Sequence, residues 1–394
     1  MAEHTLGELH QMQALSLNSK IAMTITRVKG WLNAFDDECY ISFSGGKDST
    51  VLVDIIHNKM GRSDIPLVYV DTGLEYPEIR EFVKGYGDKV IWLKPKMSFK
   101  QVVSQYGYPF FSKETAEAIF YARKYLKTLK EKSVDDEKQV VGYNNIADLL
   151  GIDRRIDKNN KDFINIKYGK LTQNELFDMP IRARQVLGVK GNYTNMYNKT
   201  KYRFMLDAPF EVHNACCSVM KKAPVHKFSK ESNKKPITAQ MASESRLRTQ
   251  NWLQNGCNGF DMKSPISNPM AFWTEQDVLM YIKKNNLPIC SVYGDIVEDN
   301  YDGQLSFNDI EEWSNMGIFD AKNPTLKTTG CERTGCMFCG FGCHLEKSPN
   351  RFEKMKITHP KQYEYIMKSW EDGGLNFKEV IDWINANGNM NIKY

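Results

Sequence analysis

Residues 41–54 read ISFSGGKDSTVLVD. An apolar, β-favouring run meets two glycines; Lys47, Asp48 and Ser49 follow, and the chain then turns apolar again. This order predicts a strand over 39–44, a glycine bend, and a helix over 47–60 with Val51, Leu52, Ile55 and Ile56 on one face. A strand that enters a helix through glycines is a phosphate site. Glycine lets the backbone curl until several N–H groups converge on one anion, and the helix N-terminus adds about half a unit of positive charge. Lys47 supplies a mobile full charge, Ser44 and Ser49 offer hydroxyls, and Asp48 either orients the loop or holds Mg²⁺. The spacing is too short for the GxxxxGK[ST] loop and lacks GxGxxG, which disfavours both of those nucleotide folds.

Outward from this stretch, IPLVYVDT (65–72) and KVIWLKP (89–95) read as further strands, with EYPEIREFVKGYG (75–87) between them as a helix carrying Pro near its start. Alternating strands and helices predict an α/β fold with a doubly wound parallel sheet. Residues 8–34 have the spacing of one amphipathic helix, and 112–132 look helical and Lys-rich. PITAQMA (236–242) is a further candidate strand. FWTEQDVLMYIKKNNLP (272–288) is a helix that Thr274 can cap, with Glu275 and Asp277 in its first turn. The expected organisation is an N-terminal helix (1–34), the first half of a nucleotide-binding domain (35–130), a polar insertion (131–210), the second half (211–292), an irregular or hairpin excursion with a Cys-rich metal-binding segment (293–345), and a helical tail (346–394).

Apolar residues make up 41% and charged residues 26% of the 394, an ordinary globular composition. No stretch approaches the roughly 18 apolar residues of a membrane span, and the N-terminus lacks a basic segment followed by an apolar one, so a cytoplasmic location is expected. A net charge of +5 says little by itself. Its distribution says more: KKAPVHKFSKESNKK (221–235) holds six lysines against one glutamate, either a solvated surface or a patch facing phosphate or nucleic acid.

Nine cysteines are present, six of them in two tight groups: Cys216–Cys217, and Cys331, Cys336, Cys339 and Cys343. In a cytosolic chain such clustering favours a metal centre over disulfides. The local run is spaced C-x4-C-x2-C-x3-C, which suits an iron–sulfur cluster or Zn²⁺, and His344 is a further candidate ligand.

SFSGGKDS resembles the pyrophosphate-binding loop of the PP-loop, or adenine nucleotide alpha-hydrolase-like, superfamily. DTGLEYPE (71–78), HNACCSVMKKAP (213–224), MASESRLR (241–248) and the helix at 272–289 resemble segments of its phosphoadenosine phosphosulfate (PAPS) reductase branch. The cysteine run also resembles that of DNA phosphorothioation enzymes of the same superfamily. The resemblance implies that Ser42, Ser44, Gly45, Gly46, Lys47, Asp48 and Ser49 surround the phosphates of ATP or PAPS, and that Asp71, Thr72 and Gly73 lie near adenosine. It further implies that Ser112 and Lys113 lie near the substrate and that Glu244, Ser245, Arg246 and Arg248 close the site, the arginines binding a terminal sulfate or phosphate bidentately. Lys47, Asp48, Arg246 and Arg248 are the expected catalytic groups. The ligands of a [4Fe–4S] cluster would be Cys216, Cys217, Cys336 and Cys339, with Cys331 and Cys343 as rivals and Zn²⁺ as the alternative metal.

Three features depart from an ordinary sulfonucleotide reductase. The last 51 residues, 344–394, contain no cysteine where the family's ECGLH-type segment carries its attacking thiol. The first loop is intact, as in members that cleave ATP between its α and β phosphates. Ala239-Gln240-Met241 stand where many relatives place Gly and Arg, leaving one anion-binding arginine unaccounted for. The favoured expectation is therefore ATP cleavage that adenylates an acceptor, a nucleic acid being one candidate, for sulfur transfer from a sulfur or thiol donor protein. PAPS or adenylylsulfate reduction with a thiol donor is the alternative, and a non-enzymatic nucleotide-binding regulator the third.

Overall fold

Cys39, Tyr40 and Ile41 are wholly buried, which is why this stretch reads as an unbroken apolar run and not an alternating one: a parallel strand covered on both faces has no solvent side. It forms β1 (Cys39–Ser42) at the centre of a six-stranded sheet. The computed structural model describes residues 4–132, 180–187, 198–299 and 325–394. Most of the expected insertion, and part of the 293–345 excursion, lie outside them.

The other strands, in chain order, are β2 (Leu67–Val70), β3 (Val90–Leu93), a short β4 (Phe110–Phe111), β5 (Lys235–Ile237), β6 (Asn258–Gly259) and β7 (Ile266–Ser267). Without β4, they assemble in the order β3-β2-β1-β5-β7-β6, parallel throughout except for the antiparallel edge pair β6–β7. Cys39 is in register with Lys235 and Ile41 with Leu67, so β1 lies between its sequence neighbour and a strand almost 200 residues on. The strand order reverses here, and an open α/β sheet places ligands beyond the carboxyl ends at such a point.

The chain's contacts divide it into two units. The first comprises Met1–Lys96 and Lys221–Cys336 and carries this sheet. Its core includes Val28, Trp31, Ile41, Val51, Leu52, Leu67, Trp273 and Tyr281, each fully buried and each contributing about 1.5–3 kcal/mol in water exclusion. The expected helix over 8–34 is two: α1 (Leu6–Gln13) and α2 (Leu17–Ala34). The break comes at Ser16, whose hydroxyl accepts the Ser19 N–H at 3.2 Å and starts a new helix. Lys20 of α2, 1% exposed, reaches Asp277 at 2.6 Å, and the Thr274 capping box is present as expected. The helix after the glycines is α3 (Lys47–Asp54), which passes into a π-turn over Ile55–Lys59, a local widening that is frequent beside functional sites. The next is α4 (Pro77–Lys84), with Pro77 in its first turn.

The second unit comprises Met97–Met220 and Met337–Tyr394. Within it β4 pairs in parallel with Gly340–Phe341. Helices Phe99–Tyr106, Lys113–Lys132 and Ile181–Leu187 accompany a tail of three short helices, Arg351–Thr358, Pro360–Met367 and Phe377–Gly388. Tyr108 is its hub: its hydroxyl donates to the Leu375 carbonyl at 3.0 Å and accepts Trp370 Nε1–H at 3.0 Å.

Candidate functional site

The glycine bend at the carboxyl end of β1 has the backbone that the sequence demands. Gly45 sits at φ +70, and a Cβ there would lie 2.8 Å from a Val83 methyl and 2.9 Å from an Ile79 methyl of α4. Positive φ and lack of room both require glycine. Gly46 is the N-cap of α3 with no side-chain cap. Its carbonyl accepts hydroxyl hydrogen bonds from Ser49 (2.9 Å) and Thr50 (3.0 Å), and Ser44 Oγ is 3.0 Å from Ser49 Oγ. The serines of SGGKDS thus build the loop's shape as well as presenting polarity.

Lys47 is 2% exposed. Its ammonium donates to the Glu332 carbonyl at 2.7 Å, pairs with Glu275 at 3.1 Å, and lies over the Tyr293 ring. Its backbone N–H, one of the helix-terminal donors, points to the Tyr293 hydroxyl at 3.1 Å, and that hydroxyl meets Thr334 Oγ1 at 2.6 Å. Asp48 is half-buried, and its Oδ1 is buried with no hydrogen-bond partner. Burial raises the Asp48 pKa, opposed by Lys47 and, more weakly, by Arg333 and Arg248. Arg248, from the helix Arg246–Asn255, pairs with Glu244. Its own pKa is lowered by burial first, with Asp48 opposing. The structure therefore gathers Lys47, Asp48, Glu244 and Arg248 around one helix start. Ser245 caps the Arg248 helix, and Arg246 is exposed on its first turn.

Asp71, at the end of β2, is held by Arg80 Nη2 at 2.9 Å, and the Thr72 hydroxyl donates to Glu75 at 2.8 Å; Gly73 takes φ +72. Between the carboxyl ends of β1 and β2 lies a cavity of about 160 Å³, bordered by Ser42, Ser44, Tyr69, Glu75, Lys221 and Thr334. Tyr69 Oη has no partner, and Lys221 pairs with Glu75 at 3.4 Å. Burial pulls the Lys221 pKa down, but Cys336 and Glu75 outweigh it and leave the ammonium above its ordinary value. A larger cleft of about 580 Å³, lined by His4, Met12, Arg27, Trp252 and Phe260 among others, contains none of the glycine-loop residues.

Lys113, Cys216, Cys217, Cys339 and Cys343 belong to the second unit, whereas Cys331 and Cys336 belong to the first. Ser112 there caps the Lys113–Lys132 helix by accepting the Thr115 N–H at 3.0 Å. Burial raises the Cys339 pKa, and Cys217 is near enough to raise it further; Cys343, 2% exposed, is pushed by burial up to about 12. Among the described residues no three His, Cys, Asp or Glu side chains are grouped as a metal ion would need. Both expected quartets draw on both units, and the [4Fe–4S] or Zn²⁺ site stays an expectation of the sequence. A single divalent cation is different: the orphaned Asp48 Oδ1 is a suitable anchor for Mg²⁺, which commonly takes one or two carboxylates and completes its shell with phosphate and water.

Sequence reasoning missed Tyr293, Glu332, Arg333 and Thr334, and read Glu275 only as a helix-start acid. Their contacts cross some 230 to 290 residues of chain, and the only local hint was the charged pair before Gly335-Cys336.

Parallel sheet, glycine bend and converging charge define an α/β protein with an anion-ready loop at its switch point. The phosphoadenosine phosphosulfate reductase domain family matches residues 38–143 and 149–340. The chain belongs to that family, whose members bind a nucleotide substrate. Among solved structures, the PAPS reductase from Candida auris in a phosphate complex is similar, at 12% identity over 73% of this chain and 91% of its own, with a TM-score of 0.31. No curated protein matched. No described helix is long and apolar enough to cross a membrane.

Proposed function

We propose that the loop binds the polyphosphate of ATP and that the enzyme cleaves the nucleotide between its α and β phosphates. The observation that carries this reading is the intact loop at the switch point, with Lys47, Asp48 and Arg248 converging on the start of α3. An acceptor nucleophile attacks the α-phosphorus, the α–β P–O bond breaks, and pyrophosphate leaves. Lys47 exchanges Glu275 for the leaving phosphates, while the loop amides and Arg248 hold their charge in a site of low dielectric. Asp48 would hold Mg²⁺, which when bound neutralises polyphosphate charge. Sulfur from a thiol or sulfur donor protein then displaces AMP from the adenylated acceptor. A nucleic acid is the acceptor class that the charge pattern supports: the helix Ala223–Ser232 exposes His226, Lys227 and Lys230, preceded by exposed Lys222. Labelled ATP, Mg²⁺ and candidate acceptors test the scheme, with pyrophosphate and AMP expected.

The family match favours a second reading, reduction of PAPS or adenylylsulfate to sulfite. Its thiol would come from a donor protein, because Cys343 is buried and its pKa near 12 keeps it protonated at neutral pH. Sulfite from PAPS plus a thiol, with no pyrophosphate from ATP, selects it. Bound but unchanged nucleotide in both assays selects a regulator. Iron content and the visible spectrum of an anaerobic preparation decide the cluster question separately, and Cys216→Ser against Cys331→Ser separates the two quartets.

A further inference from the structure

MASESRLR follows Ala-Gln-Met where an anion-binding arginine was expected, and the chain supplies a replacement from another place. Arg333 is exposed, and both its neighbours are fastened to the phosphate loop. On one side the Glu332 carbonyl accepts the Lys47 ammonium at 2.7 Å. On the other, Thr334 Oγ1 lies 2.6 Å from the Tyr293 hydroxyl that receives the Lys47 N–H, and 3.3 Å from where a Cβ on Gly46 would stand. Two anchors, one residue to each side, hold the backbone of Arg333 beside the loop. Arg333 also acts electrostatically on both Asp48 and Arg248, and among the described residues no carboxylate lies within ion-pair distance of it. It is a cation placed beside the loop with no carboxylate partner among the described residues.

We propose that Arg333 is an anion-recognition residue of this site, forking onto a terminal phosphate or sulfate of the bound nucleotide. The inference rests on the reading of the loop as a nucleotide-phosphate site. A guanidinium suits the task because its two parallel N–H groups match two oxygens of a tetrahedral anion, which an ammonium cannot do. With Arg248, which likewise acts on Asp48, it would complete a clamp on the anion.

Calorimetric titration of ATP, PAPS and AMP into wild type, Arg333→Ala, Arg333→Lys and Lys47→Ala tests it. Arg333→Ala is expected to weaken ATP or PAPS by about tenfold or more, the scale of a lost charge-assisted contact, and to leave AMP nearly unchanged. Arg333→Lys should recover only part. Loss for ATP alone identifies the polyphosphate as the group held; loss for PAPS alone identifies the sulfate or 3′-phosphate. If Lys47→Ala loses nucleotide while Arg333→Ala matches wild type for all three, the Arg333 assignment is overturned and the loop reading stands. If wild type binds none of the three, both fall. Arg333 is exposed, and unchanged melting of its variants confirms that the comparison is between folded proteins.

Discussion

Asp48 concentrates the tension between stability and function in this chain. One of its carboxylate oxygens is buried without a partner, and burial raises its pKa above the ordinary 3.8. A raised acid contributes stability that is complete below the unfolded-state pKa and is lost as pH rises through the folded one. At neutral pH the ionised group therefore costs stability. Asp48→Asn should melt higher than wild type at pH 7, and the gap should close as pH falls towards about 4, where Asp protonates in both states. The same variant should lose the Mg²⁺ dependence of nucleotide binding. A lower melting temperature at pH 7 would show that Asp48 is a structural partner and not a held charge. Functional sites commonly carry this kind of local penalty.

At the scale of elements, the bend between β1 and α3 is held from outside. Val83 and Ile79 of α4 leave no room at Gly45, and Tyr293 and Thr334 close over Gly46. Gly45→Ala combines a left-handed backbone penalty of about 1–2 kcal/mol with overpacking of about 1–3 kcal/mol. The expected result in chemical denaturation is a loss of at least about 2 kcal/mol, together with weaker nucleotide binding. Unchanged stability would mean that α4 gives way and the bend is not packed as described. The π-turn at Ile55–Lys59 and the break at Ser16 illustrate what periodicity could and could not reveal. The spacing of apolar residues located both helical regions, but one added residue per turn, or one hydroxyl taking a backbone N–H, changes an element without changing its pattern.

At the scale of the whole molecule, the first unit assembles one site from widely separated segments of sequence. Residues 42–49, 244–248, 275, 293 and 332–334 meet because β5 inserts beside β1 and the later helix docks through Lys20–Asp277. A ligand that binds only this assembled form stabilises it by mass action. ATP or PAPS at a hundredfold excess over its Kd should therefore add about 2.7 kcal/mol and raise the melting temperature. Lys47→Ala should abolish that rise. Lys20→Ala, which strands Asp277 in a partly buried setting, should cost about 3 kcal/mol through the fold alone; a small effect would show that Asp277 is satisfied by its cap.

Local patterns were enough to reveal the parallel α/β class, the glycine bend and the Thr274 helix cap, because glycine conformation, strand burial and helix capping are written within a few residues. Tertiary structure alone decided that Lys47 turns to Glu275 and Glu332, that Tyr293 covers a helix-start donor, and that Asp48 is left with a bare oxygen. Those facts depend on which distant segments share the carboxyl edge of the sheet. The free energy that brings them there comes from burying the core, and its apolar pattern carries no record of which polar groups will face one another once it closes.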